Sequence, residues 1–306
     1  MVRRREEIVD VLRQRVARSL ATGALCAGDR LASTRAMAAE LHADPRAVAS
    51  AYRALSAEGL VELRVRSGVY VRADAPHARR ALAPPLESIV DMLTLASMRG
   101  YAGPRLVEAL HSVVSKRPVR TIVITTTSDQ GLGIARELHE DFGLDARAII
   151  ADKLQALGGS PILRRAELLV TTQAHAHRVE LLAAELGARH IVMSVRSDLF
   201  ENEWSLWRGH PVYVVVIDPR FRRIVQSFLR ASGAEAAAVR VHLATDDLSR
   251  IPDDAPTYVT QAARTHLGRT NVPGMVIPPT RLFAEDCVRA VWKAVGELAL
   301  ARRTAR

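Results

Sequence analysis

Residues 33–55 read STRAMAAELHADPRAVASAYRAL, and the stretch divides at His42-Ala43-Asp44-Pro45 into two short helices. Ser33 is a good N-cap for the first helix, which runs to about Leu41 with Met37 and Leu41 on one face. Asp44 caps the second, and Pro45 occupies its first turn, where a missing N–H costs nothing. In that helix Val48, Tyr52 and Leu55 line up on one side, and Arg46, Ala49, Ser50 and Arg53 on the other. Two short helices around a sharp turn suit either a compact helical hairpin or a reader of DNA, and the flanking sequence decides between them.

Upstream, Ile8, Leu12, Val16 and Leu20 recur at helical spacing over 3–22, and the pattern stops at Thr22-Gly23. Downstream, Gly59 ends the second helix. The run VELRVRSGVYV at 61–71 then alternates Val61, Leu63 and Val65 with polar neighbours, and Ser67-Gly68 supplies a turn, so a two-stranded hairpin is predicted. Helix, helix-turn-helix and hairpin is the order of a winged helix-turn-helix. Its second helix enters a major groove through its N-terminal residues. The hairpin tip, with Arg64 and Arg66 around a glycine turn, lies along the neighbouring backbone or minor groove. Charge agrees with that reading: residues 1–80 hold 15 arginines against 9 acidic residues, an excess of 6 within a net charge of +10. Such a concentrated excess suits a polyanion, since phosphate contacts and counterion release dominate nucleic-acid affinity. The whole chain has 40 arginines and 3 lysines, so arginine abundance alone proves little.

The segments GDRLASTRAMAAEL and AYRALSAEGLVELRVRSGVYV closely resemble the N-terminal domain of the GntR family of bacterial transcription regulators, over about residues 5–72. The resemblance implies that Arg35, beside Ser33 and Thr34, contacts phosphate or base, and that Gly68 lets the wing with Ser67 approach the duplex. It implies a double-stranded operator and a homodimer. The sequence departs from the family pattern at Ala32, where proline is usual, at Ala47, where threonine is usual, and at Pro45 and Ala49, where DNA-contacting residues are common. The inferred recognition surface on the second helix is thereby reduced to Arg46, Ser50 and Arg53.

The run RADAPHARRALAPPLES, rich in alanine, proline and arginine, reads as a linker at about 73–85. Two helices follow, broken at Gly100-Tyr101-Ala102-Gly103-Pro104. From 119 the chain alternates strands and helices, which predicts parallel βαβ units. A second series begins at PVYVVVID and looks like a repeat of the first. Thr172-Gln173-Ala174 and Thr260-Gln261-Ala262 each follow the third strand of their series and precede a helix ending in Leu-Gly. The expected architecture is α/β: a winged helix-turn-helix at 1–74, a linker and connecting helices at 75–118, and a bilobed effector domain at 119–306. By its architecture this last part resembles periplasmic-binding-protein-like effector domains. The chain length and the missing cofactor-lysine motif argue against the aminotransferase-fused branch of the GntR family.

In such sheets ligands sit beyond the carboxyl ends of strands, at helix N-termini. The candidates are therefore Thr127, Ser128 and Asp129; Thr172, Gln173 and His175; Asp218 and Arg220; and Thr260 and Gln261. Hydroxyls and helix N-termini favour an anionic or richly hydroxylated small-molecule effector, although each residue taken singly also suits helix capping. His175 and His177 lack further ligands at metal spacing, and Gly131-Leu132-Gly133 lacks the third glycine of a dinucleotide fingerprint, so no cofactor is expected. Trp204 and Trp207 flank the crossover between the series, where stacking on a ligand and packing are both open. Cys26 and Cys287 match no metal spacing and suit a reducing cytoplasm, and no apolar run approaches the ~20 residues of a membrane span. The expected protein is a cytoplasmic, ligand-responsive, non-enzymatic regulator; the alternative is an α/β enzyme carrying an accessory DNA-binding head.

Overall fold

The computed structural model describes the chain except for residues 1–4, 22–23, 75–76, 79–80, 83, 85, 115–116, 155, 157–159, 195, 197–210, 232–238, 269, 271, 278–281 and 305–306. Trp204 and Trp207 lie outside the described residues. The chain divides into two compact units. Unit 1 holds 1–82, 127–133 and 195–282; unit 2 holds 83–126, 134–194 and 283–306.

Unit 1 begins with the N-terminal head: α1 (Arg5–Ala21), α2 (Thr34–Glu40) and α3 (Pro45–Ala57), followed by β1 (Val61–Arg64) and β2 (Gly68–Val71). Both expected caps are present. Ser33 Oγ accepts from Ala36 N at 3.2 Å and Asp44 Oδ1 from Arg46 N at 2.6 Å, with Pro45 in the first turn of α3. The i, i+4 stripe of α1 (Ile8, Leu12, Val16) packs with Val48, Tyr52 and Leu55 of α3 in one apolar core. The buried Tyr52 hydroxyl is satisfied by Ala32 O at 2.9 Å. Arg13 fixes α1 to the end of α3 through a forked pair with Glu58, at 2.8 and 2.6 Å.

One sequence expectation needs correction here, and the hairpin, present as predicted, adds an observation of its own. Val61 is buried, but Leu63 and Val65 are exposed, because only the base of the hairpin meets the helical core. The run read as a linker starts inside the fold: Ala73 and Ala78 belong to the head's core, and Asp74 Oδ1 caps a turn by accepting from His77 N at 3.0 Å.

The rest of unit 1 is mainly a four-stranded parallel sheet. It comprises β7 (Val212–Val216), β8 (Val239–Leu243), β9 (Pro256–Val259) and β10 (Met275–Val276), in the order β10-β9-β7-β8. β7 is valine-rich and buried along its whole length, as a central parallel strand covered on both faces should be. Helices α9 (Phe221–Ala231) and α10 (Gln261–Leu267) accompany it.

Unit 2 opens with a helical pair, α4 (Leu86–Met98) and α5 (Gly103–Val113). Its parallel sheet comprises β3 (Arg120–Thr125), β4 (Asp145–Ile150), β5 (Leu168–Thr172) and β6 (Arg189–Met193), in the order β4-β3-β5-β6. Helix α6 (Ser128–Phe142) links β3 to β4, with its first turn counted in unit 1, and α7 (Pro161–Arg164) and α8 (Ala176–Leu186) precede and follow β5. The terminal helix α11 (Glu285–Thr304) packs on α5, where Val113 lies 3.8 Å from the position a Cβ would take at Gly296.

Numbered from each sheet's first strand, both orders are second-first-third-fourth. The two Thr-Gln-Ala triplets follow equivalent third strands. The helices after them end at Gly187 and Gly268, both with positive φ, as expected of glycine helix terminators. Shared strand order and shared punctuation extend the repeat seen in sequence.

Candidate nucleic-acid interface and effector residues

The head presents the predicted contact arginines on the side away from its core, whereas Arg15 is buried against Glu40. Arg35 in α2 and Arg46 and Arg53 in α3 are exposed, Ser33 is an exposed cap, and Thr34 and Ser50 are half-buried. Arg46 is the second residue of α3; its backbone N–H is taken by the Asp44 cap, so its exposed guanidinium is what it offers a phosphate or base. On the wing, Arg66 sits in the tight turn with φ 60° and Gly68 with φ 121°. Ser67 Oγ lies 2.9 Å from the Tyr70 hydroxyl. Arg64 is anchored on the hairpin: its guanidinium stacks 4.2 Å from the Tyr70 ring centroid and donates to Glu62 at 3.0 Å. That bond holds the Glu62 carboxyl below its usual range.

One arginine was not singled out in sequence. Arg30 forms an isolated β-bridge with Tyr70, and backbone bonds of Gly28, Asp29 and Leu31 to Val71 and Val69 tie this segment to β2. A Cβ at Gly68 would come within 3.3 Å of Arg30 Nε. Gly68 is therefore favoured by its positive φ, with the flexible end of Arg30 close against it, independently of any duplex.

The same segment joins the head to the sheet of unit 1. Val276 N of β10 donates to Arg30 O at 2.9 Å, and Val276 is part of the head's core. Hydrogen bonding is thus continuous from the wing through Arg30 and β10 to β9. Beside it, Arg264 of α10 donates to Asp29 Oδ2 at 2.8 Å, with both side chains almost wholly buried. Cys26 N also donates to Asp29 Oδ2, at 2.8 Å. Burial pushes the Asp29 carboxyl up, opposed by the Arg264 charge and the Cys26 N–H. Among the described residues Asp29 Oδ1 and Arg264 Nε have no hydrogen-bond partner.

The ten effector candidates fall into one group in each unit. In unit 1, Asp129 accepts from Ile217 N at 3.1 Å, Asp218 N at 2.8 Å and Thr260 Oγ1 at 2.5 Å. Thr260 also caps α10 by accepting from Ala263 N at 3.1 Å. Asp129 is buried and its two oxygens are engaged, so it positions the ends of β7 and β9. Thr127 Oγ1 accepts from Gln130 N at 3.3 Å, and Ser128 opens α6. Asp218 accepts from Arg220 N at 2.9 Å and forks to its guanidinium, which holds the carboxyl below its usual range. Gln261 is the half-buried first residue of α10.

In unit 2, Thr172 ends β5, and Gln173 and His175 form a single 3-10 turn after it. His175 Nε2 lies 3.0 Å from Thr126 Oγ1, and burial followed by the Arg178 charge lowers its pKa. His177 faces Glu180 at 4.0 Å. No group of three or more His, Cys, Asp or Glu able to hold a metal occurs among the described residues.

The family model for bacterial regulatory proteins of the gntR family matches residues 6–71, the caps, both short helices and the wing described above. The N-terminal head is a GntR-family helix-turn-helix domain. Over 74 residues the chain is 43% identical to the HTH-type transcriptional regulator TauR of Rhodobacter capsulatus; the match spans 24% of this chain and 15% of that one. Two solved structures align with 35% of the chain. A GntR family transcriptional regulator from Listeria monocytogenes shows 20% identity over 90% of its own length, with a TM-score of 0.29. A transcriptional regulator from Oenococcus oeni shows 21% identity over 91% of its length, with a TM-score of 0.28. Those scores are too low to bear on the fold, and the family likeness covers the GntR-type head alone. No helix among the described residues is long and apolar enough to cross a membrane.

Proposed function

We propose that the protein is a DNA-binding transcription regulator whose two α/β sheets form a periplasmic-binding-protein-like, effector-binding part. The GntR-type head supports the first half of this reading. Arg35, Arg46 and Arg53 on the helices, and Arg66 with the anchored Arg64 on the wing, are the candidate DNA contacts. Two copies of the chain would present two heads to a double-stranded operator whose half-sites mirror the protein's twofold symmetry.

One observation carries the second half: the head is built into the same compact unit as a parallel sheet. A ligand at the carboxyl ends of β7 and β9 would meet Asp218, Arg220, Thr260 and Gln261. Thr260 starts α10, and Arg264 of that same helix holds Asp29 of the head. A shift of α10 is therefore felt at Asp29 and, through Arg30, at the wing. The corresponding strand ends of unit 2 offer Thr172, Gln173 and His175. Allostery requires only that ligand bind the DNA-competent and DNA-incompetent states with different affinity.

Small molecules released on denaturing the purified protein should be identified by mass spectrometry and then titrated into protein–operator complexes. The expected result is altered operator affinity with the ligand chemically unchanged. Turnover of that molecule, with operator affinity unaffected, would establish the enzyme reading instead.

A further inference from the structure

Helix α4 has an unusual surface. Of its thirteen residues only Ala96 is buried. Glu87, Asp91 and Thr94 form one polar stripe, and most of the remaining circumference is apolar. Leu86, Val90 and Met92 are exposed there, at 71%, 49% and 59%. On α5, Val107 and Leu110 recur at i and i+3, and Val114 continues the stripe just past the helix end; all three are exposed. Eleven large hydrophobic residues between Leu86 and Val114 are exposed in this way. A helix apolar around most of its circumference is a buried helix, yet nothing within the described residues of the chain covers this one.

We propose that the α4–α5 pair docks against the same pair of a second copy of this chain, giving an isologous four-helix interface. The area fits that occupant. The exposed side chains offer on the order of 1,000 Å2 of apolar surface per chain, beyond the ~300–600 Å2 of the largest patch on a typical monomer and enough for the ~800 Å2 per partner of a standard interface. Charge fits it too. Helix α4 carries Glu87 and Asp91 and no base, whereas α5 carries Arg105 and His111 together with Glu108. Crossing α4 over the partner's α5 so that Glu87 or Asp91 meets Arg105 sets opposite charges at the rim of an apolar centre.

The proposal specifies the surface for the two-copy arrangement in the proposed function, but it does not depend on DNA binding. The full-length chain should be weighed by light scattering through a dilution series, with amide exchange followed at 86–114. The expected mass is twice 33.5 kDa, with protection at 86–114 that falls as the protein is diluted. Val90→Glu with Val107→Glu should halve the mass while the far-ultraviolet spectrum stays that of the parent. Leu181→Glu, at an exposed position on α8 in the same unit, should leave the mass unchanged. A parent that is monomeric throughout, a folded double variant that stays dimeric, or protection at 86–114 independent of concentration would each overturn the proposal. A dimer that binds no duplex would overturn the regulator reading alone, and a monomer that binds its operator normally would overturn this proposal alone.

Discussion

Arg264→Met removes one half of the buried pair between α10 and the head while keeping most of the side chain's length and apolar volume. Asp29 is then left with Cys26 N as its partner among the described contacts, and its Oδ1 already lacks one. Orphaning one member of a buried pair typically costs about 3–5 kcal/mol. At ~1.4 kcal/mol per tenfold, that is roughly a hundred- to several-thousand-fold in the local opening equilibrium. Amide exchange at 28–31 and along α10 reads that equilibrium, because local opening sets protection. Asp29→Leu with Arg264→Met removes both charges. Replacing a whole buried pair by apolar groups is typically neutral to stabilising by about 1–4 kcal/mol, so the double variant should regain the protection that the single variant loses.

The pH dependence of the single variant has a definite sign. Burial already raises Asp29 in the parent, and Arg264 opposes it, so losing Arg264 raises Asp29 further. A carboxyl raised in the folded state keeps its proton longer there than in the unfolded chain. The deficit of Arg264→Met relative to the parent is therefore complete above the variant's Asp29 pKa and shrinks as pH falls through it. A deficit no larger than the ~1 kcal/mol of an exposed pair, or one indifferent to acidification, would refute the buried joint between α10 and the head.

Arg35→Ala should weaken operator binding and lower the slope of log affinity against log salt by about 1, as expected for one lost phosphate contact; a gel-shift titration with unchanged affinity and slope would remove Arg35 from the interface. Asp129→Asn replaces a carboxylate that accepts from two backbone N–H groups and Thr260, and should cost roughly 1.5–3 kcal/mol per charged bond weakened. It should alter the ligand response more than ligand-free DNA affinity, and an unaltered response would clear Asp129 of the positioning role. Gly68→Ala forces a Cβ into positive φ against Arg30, which should cost about 1–2 kcal/mol. Thermal unfolding like that of the parent would show that the wing accommodates it. The His175 ring should titrate below the ordinary histidine value, and Arg178→Ala should move the midpoint up. Neutral His175 therefore stabilises the fold above the ordinary histidine value, and that contribution is lost as pH falls through its lowered pKa; a proton NMR titration gives the midpoint.

The local rules were the legible ones. Caps at Ser33 and Asp44, the proline in the first turn, the inward stripe of α3 and the turn before Gly68 are all encoded within a few residues of where they act. The alternation beyond 119 placed two sets of parallel strands in the same way, and the repeated Thr-Gln-Ala marked equivalent strands. Partners distant in sequence were not legible. Asp29 and Arg264 are 235 residues apart, and nothing in either local pattern ties a loop aspartate to a helical arginine. Arg30 lies between the first two helices of the head, in a stretch with no strand pattern of its own, so its bridge to Tyr70 and its bond to Val276 became visible only in three dimensions. Asp129 has the composition of a ligand contact, and its capture by Ile217, Asp218 and Thr260 depends on strands whose meeting the sequence does not record. The wing was legible as a hairpin, but burial along it was not: Leu63 and Val65 alternate as in a strand, yet half of a projecting hairpin has no core to bury them.

The central claim is that the head reads DNA as part of a two-copy regulator, and selective enrichment of random duplexes by the full-length protein tests it most directly. The account requires enriched sequences that form an inverted repeat, with half-sites about one helical turn apart or a multiple of it, and loss of that enrichment in Arg35→Ala/Arg46→Ala. Enrichment no better than that of the double variant, or of a single unrepeated site, would contradict it.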